Sequence, residues 1–443
     1  MTKNFWLWHL ALLNLKRNFG RNVFVGAAVA MSFTGIQIFI GYCVWVEKYA
    51  RANVVYVNQI GHIGILRQAG LDKKWTAPEE SLITKVQMEA IRKALANEPT
   101  VAAVGESLQS MVVLAQGCRN HVVNAIGRDE AIDERILLEP DVLQWAPGGV
   151  QPRAMERIRE FRKKPSRALP FRVPLPVLER LKAEDGSGCS NKEDINSGIQ
   201  VLARTVAGYP NAADIVNMGE QSSGGIQEID ARSVFFSTQD LQKLLETDLV
   251  AVVSVYLKDI TQLPIAYWRL SKALAHQGDL RVRPFFIKDL SYNYLSANTF
   301  TFNTGLFFLS LVVAVVGMIL GSLFSMSLSE RSTELGILGS IGFPSALLST
   351  LMQREALILT VLSLVAGGCL SKLIGAFIYL RNIPFNLPGL NQPLRLSIVF
   401  EPFIAFWIAF CFLAVAYLAF RFLLKRRLEK TPLELLQSPS TLK

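Results

Sequence analysis

The sequence predicts a membrane protein: four transmembrane α-helices, with a large α+β extracytoplasmic domain inserted between the first and second spans. Three observations carry this. Apolar residues make up 51% of the 443 residues. They concentrate near the N-terminus and in the last third, leaving a long middle with the composition of an ordinary globular domain. The run from Gly305 to Leu328 holds no charged residue, and at about 1.5 Å per residue it is long enough for a hydrocarbon core of about 30 Å. Finally, Lys16, Arg17 and Arg21 precede the first apolar run, and Lys425, Arg426 and Arg427 follow the last. Juxtamembrane Lys and Arg mark cytoplasmic flanks, so both termini are expected in the cytoplasm.

In chain order, residues 1–22 read as a cytoplasmic interfacial helix, with Phe5, Trp6, Leu10, Leu13 and Leu15 set among His9, Lys16 and Arg17. The apolar run after it is too long for a cleavable signal peptide and lacks a small-residue cleavage site. The first span, 23–46, carries Gly26, Ala30, Gly35 and Gly41 for close helix contact. Gln37 is its one strongly polar residue and reads as half of an inter-helix hydrogen bond.

Residues 47–298 form the extracytoplasmic domain, divided into an α+β platform (47–127 and 231–298) and a central insertion (128–230). The β-branched stretch 54–66 reads as a strand and 78–97 as a helix, with Glu79 and Glu80 in its first turn. Strands at 101–115 and 121–126 flank a Gln116-Gly117 turn. Strand and helix signals then alternate through 233–236, 238–246, 249–257, 261–277 and 280–287. Inside the insertion, 162–176 (basic and proline-rich) and 183–198 (polar) read as surface loops. Residues 47–51 and 289–298 extend the first two spans as helical stalks.

The second span is 299–328, the cytoplasmic segment after it 329–344, and the third span 345–380. An outer loop at 381–397, the fourth span at 398–420 and a cytoplasmic tail at 421–443 complete the chain. In 329–344, Leu335, Leu338 and Ile341 recur at helical spacing, with Glu330, Arg331 and Glu334 on another face. Such an amphipathic turn on the membrane surface suits docking of a soluble partner.

Catalytic chemistry is not legible. The histidines at 9, 62, 121 and 276 are far apart and show no metal-ligand spacing with cysteine. No phosphate-binding G-x-x-x-x-G-K-[ST] loop, nucleophile elbow or H-E-x-x-H pair is present. The spans are read as free of carboxylates of the kind an ion-coupled carrier uses. The net charge of +10 falls largely beside the spans, with no aromatic interleaving, so it reads as topology and not as nucleic-acid binding. Cys43, Cys369 and Cys411 fall in apolar runs, while Cys118 and Cys189 fall in the middle of the chain without a disulfide framework.

One span, an external domain of roughly 250 residues and three further spans together resemble the MacB/FtsX-type permeases of ABC transporters, a group that includes lipoprotein-releasing permeases. The segment from Glu330 to Gly342, ERSTELGILGSIG, resembles the family's E-R-x-x-E-[IL]-G-I-L-R-A-[IL]-G signature, departing at Gly339 and Ser340. ALLNLKRN at 11–18 is similar to the family's opening A-x-R-N-L-x-R-N. Glu355-Ala356-Leu357 resembles the start of its third span and Pro432-Leu433-Glu434-Leu435-Leu436 its tail. The resemblance implies a coupling helix on which a separate ABC ATPase subunit sits, with Glu330, Arg331, Glu334, Leu335, Ile337 and Leu338 as its contacts. It also implies a second permease copy, identical or related, which the G-x-x-x-G of Gly317 and Gly321 would let approach. No cofactor is expected in this chain, since ATP and Mg belong to the ATPase. Membrane lipid, and a periplasmic adaptor with an outer-membrane channel, are the further partners in view, in a bacterial inner membrane. The expected activity is ATP-driven export or release of an amphiphile (lipoprotein, lipid, peptide or drug) at the outer side of that membrane. The alternative is an FtsX-like regulator of an envelope hydrolase or a sensor, with no transport.

Overall fold

The computed structural model describes residues 2–17, 19–69, 78–117, 119–146, 152–164, 166–182, 198–220, 230–330, 337, 340–342, 344–385 and 394–428. Its helices are α1 (Thr2–Arg17), α2 (Phe19–Ala52), α3 (Lys85–Ala96), α4 (Glu130–Ile136), α5 (Pro140–Trp145) and α6 (Pro152–Arg162). They continue with α7 (Leu175–Lys182), α8 (Thr238–Leu245), α9 (Leu263–Leu274), α10 (Lys288–Glu330), α11 (Ser345–Arg381) and α12 (Pro402–Leu428). The long strands are β1 (Ile63–Arg67), β2 (Val101–Gln116), β3 (Arg119–Arg128), β4 (Leu169–Val173) and β5 (Ile199–Arg204). After them come β6 (Pro210–Glu220), β7 (Ser233–Ser237), β8 (Val252–Leu257) and β9 (Leu280–Pro284).

The chain divides into two compact units. One comprises Met1–Val46, Thr299–Pro384 and Arg395–Lys443; the other comprises Glu47–Asn298 and Phe385–Leu394. Four helices are long and apolar enough to cross a membrane, with candidate spans Asn22–Val57, Leu290–Ile319, Ser349–Arg381 and Pro402–Phe422.

The membrane unit is packed by close approach. A Cβ added at Gly367 in α11 would stand 2.6 Å from the Ala30 carbonyl oxygen of α2, so only glycine fits. The Thr34 hydroxyl donates to the Ala30 carbonyl at 2.8 Å and lies 3.0 Å from the Gly367 carbonyl, joining the two helices where they come nearest. Gly41 likewise lets the Val399 backbone in, and the Val399 N–H donates to its carbonyl at 3.2 Å. Beside these contacts Val29, Phe33, Ile36, Ile408 and Phe412 are buried, the two phenylalanines edge to face at 5.5 Å. Gln37 is 6% exposed, and its Nε2 has no hydrogen-bond partner among the described residues; the inter-helix bond expected of it is not formed. Glu355 is buried inside the candidate span Ser349–Arg381, so the spans are not free of carboxylates.

The external unit is α+β, built on a sheet ordered β3-β7-β4-β6-β5-β2-β8-β1-β9, with a further β3–β2 pairing. That pairing joins β2, β3, β7, β4, β6 and β5 into a closed six-stranded ring. Every strand of the ring alternates: Leu108, Val112 and Leu114 on β2, Val123 and Ala125 on β3, and Phe171 and Val173 on β4 point into one core. Val201 and Ala203, Ile215, and Val234 and Phe236 complete it, and the Phe171 and Phe236 rings stack at 5.8 Å. Helix α8, capped by Ser237, whose hydroxyl accepts from the Asp240 N–H at 3.0 Å, adds Leu241, Leu244 and Leu245 to that core. The first half of β2 runs on into the second layer, β2-β8-β1-β9. Residues 128–230, set apart as an insertion on composition, contribute β4, β5 and β6 to the ring.

Three local expectations change. Residues 54–57, read as the start of a strand, are π-helical, and β1 starts only at Ile63. All five residues of Asn53–Val57 are buried, so tertiary packing overrides their β-branched preference. The helix expected over 78–97 is a 3₁₀ turn at Pro78–Ser81 followed by α3. A capping box between Thr84 and Gln87 fixes where α3 begins. The stretch 162–176, read as a loop, contains β4.

Candidate functional site

Of the six residues assigned to ATPase contact, the structure describes two. Glu330 is the last residue of α10, and Ile337 is helical and 49% exposed. Arg331, Glu334, Leu335 and Leu338 lie outside the described residues, as do Cys118, Cys189 and the tail motif. Ile341, at 70% exposed, joins Ile337 as an uncovered apolar side chain in this segment. Of the two glycines assigned to the copy–copy contact, Gly317 faces Val415 of α12 in the same chain, whereas Gly321 has open space where a Cβ would be.

Sequence reasoning missed an ionic centre in the external unit. Asp133 of α4 is fully buried, with Arg128 at the end of β3 and Arg172 on β4, at 2% and 3% exposure, on either side of it. Arg128 Nη2 donates to Asp133 Oδ1 at 2.6 Å and Arg172 Nη2 to Oδ2 at 2.7 Å. Gln59 Nε2 adds a third donor at 2.8 Å. Arg128 Nη1 also donates to the Val57 carbonyl at 2.6 Å, which ties the π-helical turn to the ring. Burial alone would raise the Asp133 carboxyl, but the two guanidiniums outweigh it and hold the group below the usual carboxylate range. Arg172 escapes a pattern reading because its neighbours Phe171 and Val173 fill the ring, which puts Arg172 on the outer face. There α4 and Met155 of α6 cover it. The one available signal is a lone Arg in an otherwise apolar strand.

Beside this centre the chain turns sharply. Gln59 adopts φ 54° and Gly61 φ 74°, and a Cβ at Gly61 would meet the Val255 amide at 2.9 Å. His62 is buried against Tyr56, Tyr256 and Phe285, and its Nδ1 accepts the Leu257 N–H at 3.1 Å. Burial, with Arg51 nearby, pushes His62 down to about 4, so it stays neutral. On the returning strand side, α10 is broken at Ser291 (φ −143°, ψ 66°), whose hydroxyl donates to the Phe285 carbonyl. Tyr294 Oη donates to Glu47 Oε1 at 3.2 Å, so the two helix-proximal ends of the external unit touch. Among the described residues no group of three or more His, Cys, Asp and Glu is placed to hold a metal ion.

Residues 306–433 match the FtsX-like permease C-terminal family. The membrane-spanning C-terminal part of the chain is thus an FtsX-like permease domain. The permease domain as matched includes α11, α12 and the whole 330–341 segment. The periplasmic region of MacB from Actinobacillus actinomycetemcomitans is 11% identical over 50% of this chain and 88% of its own, with a TM-score of 0.28. The extracellular domain of the noncanonic ABC-type transporter YknZ from Gram-positive bacteria is 12% identical over 50% of this chain and 98% of its own, with a TM-score of 0.27. Among curated proteins none matches the chain.

Proposed function

We propose that this permease converts ATP hydrolysis by a separate ATPase subunit into movement of its external unit, driving export or release of an amphiphile at the outer side of the membrane. The observation that carries the proposal is the family match over 306–433, which encloses the one amphipathic segment between two spans. Its charges suit setting register on a soluble partner, and its apolar side chains suit filling a groove. ATP and Mg are bound by that partner. Two structural features support transmission: α2 is one unbroken helix from Phe19 to Ala52, and Arg128 clamps the turn that follows it. The buried Glu355 removes the argument from uncharged spans, so the proposal does not depend on it.

The test uses the full chain with its ATPase in nanodiscs. Glu334→Arg with Leu335→Arg is expected to abolish co-purification of the ATPase and its stimulation, leaving the external unit folded. Undiminished binding and stimulation would overturn the coupling role. Full binding with no loss of activity when the external unit is pinned by a disulfide would instead favour a regulator without movement.

A further inference from the structure

The external unit contains a cleft of about 530 Å³ that the coupling mechanism does not use. That volume falls in the range of small-molecule sites, about 300–1,000 Å³. Its lining is mixed: the aliphatic side chains of Ile60, Leu66, Ile126 and Leu290 stand among Asn58, Ser107, Gln109 and Ser254, with Gln109 the direct cross-strand partner of Ile126. Gln109 Oε1 is buried and accepts no hydrogen bond among the described residues, so the lining keeps an unused acceptor. Lys288 is exposed at the cleft, its Nζ 5.7 Å from the Tyr292 ring, and pairs with no carboxylate among the described residues. Arg128 also lines the cleft, and among the described residues no aspartate or glutamate does.

Charge therefore selects among ligands. A cation would find no counter-charge among the described residues, and a purely apolar molecule would leave the Gln109 carbonyl and the Lys288 ammonium unanswered. We infer that this cleft binds a small anionic amphiphile, with a single aliphatic chain along Ile60, Leu66, Ile126 and Leu290, its anionic group at Lys288 and a hydrogen-bond donor for Gln109. The lining comes from the turn after the π-helix, from β1, the 3₁₀ turn at Pro78–Ser81, the neighbourhood of β2, β3 and β8, and from the first residues of α10. An occupant touches all of them and holds them in one arrangement. This inference stands whether or not the coupling reading does.

The experiment is a fluorescence titration of the full chain in phosphatidylcholine nanodiscs with 11-(dansylamino)undecanoate, which has a sulfonamide donor, an aliphatic chain and a carboxylate. Empty nanodiscs provide the baseline for partitioning. Saturable binding is expected, displaced by dodecanoate and not by dodecyltrimethylammonium. Lys288→Glu is expected to weaken the probe at least tenfold; the acidic residue at the start of α10 suits the helix dipole, so folding is kept. Gln109→Leu is expected to weaken it less and to leave dodecanoate unaffected, which separates the donor contact from the charge contact. Repeating the titration with phosphatidylglycerol in the nanodisc identifies the source: competition points to a bilayer lipid, none to a free amphiphile. No saturable signal above empty nanodiscs, equal displacement by the cationic analogue, or unchanged affinity in Lys288→Glu would each overturn the assignment.

Discussion

The six-stranded ring and the membrane bundle both enclose aromatic and aliphatic side chains, yet they cohere for different reasons. In the ring, Leu114, Val201, Phe171 and Phe236 leave water on folding, and burial of apolar surface supplies most of the stabilisation. In the bundle Phe33 and Phe412 exchange lipid for protein, two equally apolar surroundings, so burial alone contributes little. What remains is fit: a glycine at 367 against the Ala30 carbonyl, and a threonine hydroxyl shared between two carbonyls. Orphaned polar atoms do not separate the two, since Gln37 Nε2 in the bundle and Gln109 Oε1 in the external unit both lack a partner among the described residues; what the external unit adds is an aspartate enclosed between two guanidiniums.

Substitutions at four positions sharpen this contrast. Asp133→Ala strands two buried guanidiniums, and its expected cost to the external unit is about 3–5 kcal/mol in denaturant unfolding followed by near-UV dichroism. Asp133→Asn, which keeps the shape but not the charge, should be less damaging; equal loss would mean that packing, not charge, dominates there. His62 sets a pH dependence confined to the same unit. Its folded value of about 4 lies below the ordinary 6.5. The stabilisation from neutral His62 is therefore complete above about pH 6.5 and lost as pH falls toward 4, about 3 kcal/mol in all. His62→Asn should flatten unfolding free energy across that window. In the bundle, Gly367→Val must push α2 and α11 apart, at about 1–3 kcal/mol, and should leave the external unit's unfolding transition in place. Thr34→Val removes only the shared hydroxyl bond, about 0.6 kcal/mol; a loss as large as that from Gly367→Val would show hydrogen bonding, not fit, to be the stronger tie.

The same difference explains what the residues reveal before folding. Spans announce themselves by composition: four apolar runs were read, and four helices are long and apolar enough to cross a membrane. Strands β2, β3, β7 and β8 were legible because they alternate or run apolar between turns. The ring's closure was not, because β4 is short, proline-containing and flanked by basic residues that look like a loop. The π-helical turn was hidden by Val54, Val55 and Val57, whose β preference gives way to burial. The Arg128–Asp133–Arg172 centre was invisible for a simpler reason: its members are 39 residues apart at the widest ionic contact, and no local spacing joins them. The cleft draws its lining from seven separate stretches and leaves no linear trace.

A ring has no first or last strand, so half of this sheet has no free rim on which a foreign strand can add. The open layer has one such rim along β9, since the first half of β2 is met by side chains: Asp129 accepts from the Glu106 N–H and Arg135 donates to the Ala102 carbonyl. Along β9 stand Arg281 and Arg283, and it ends in Pro284, which has no N–H to offer. A strand adding along β9 would therefore meet guanidiniums and a proline, a built-in guard against edge-to-edge stacking.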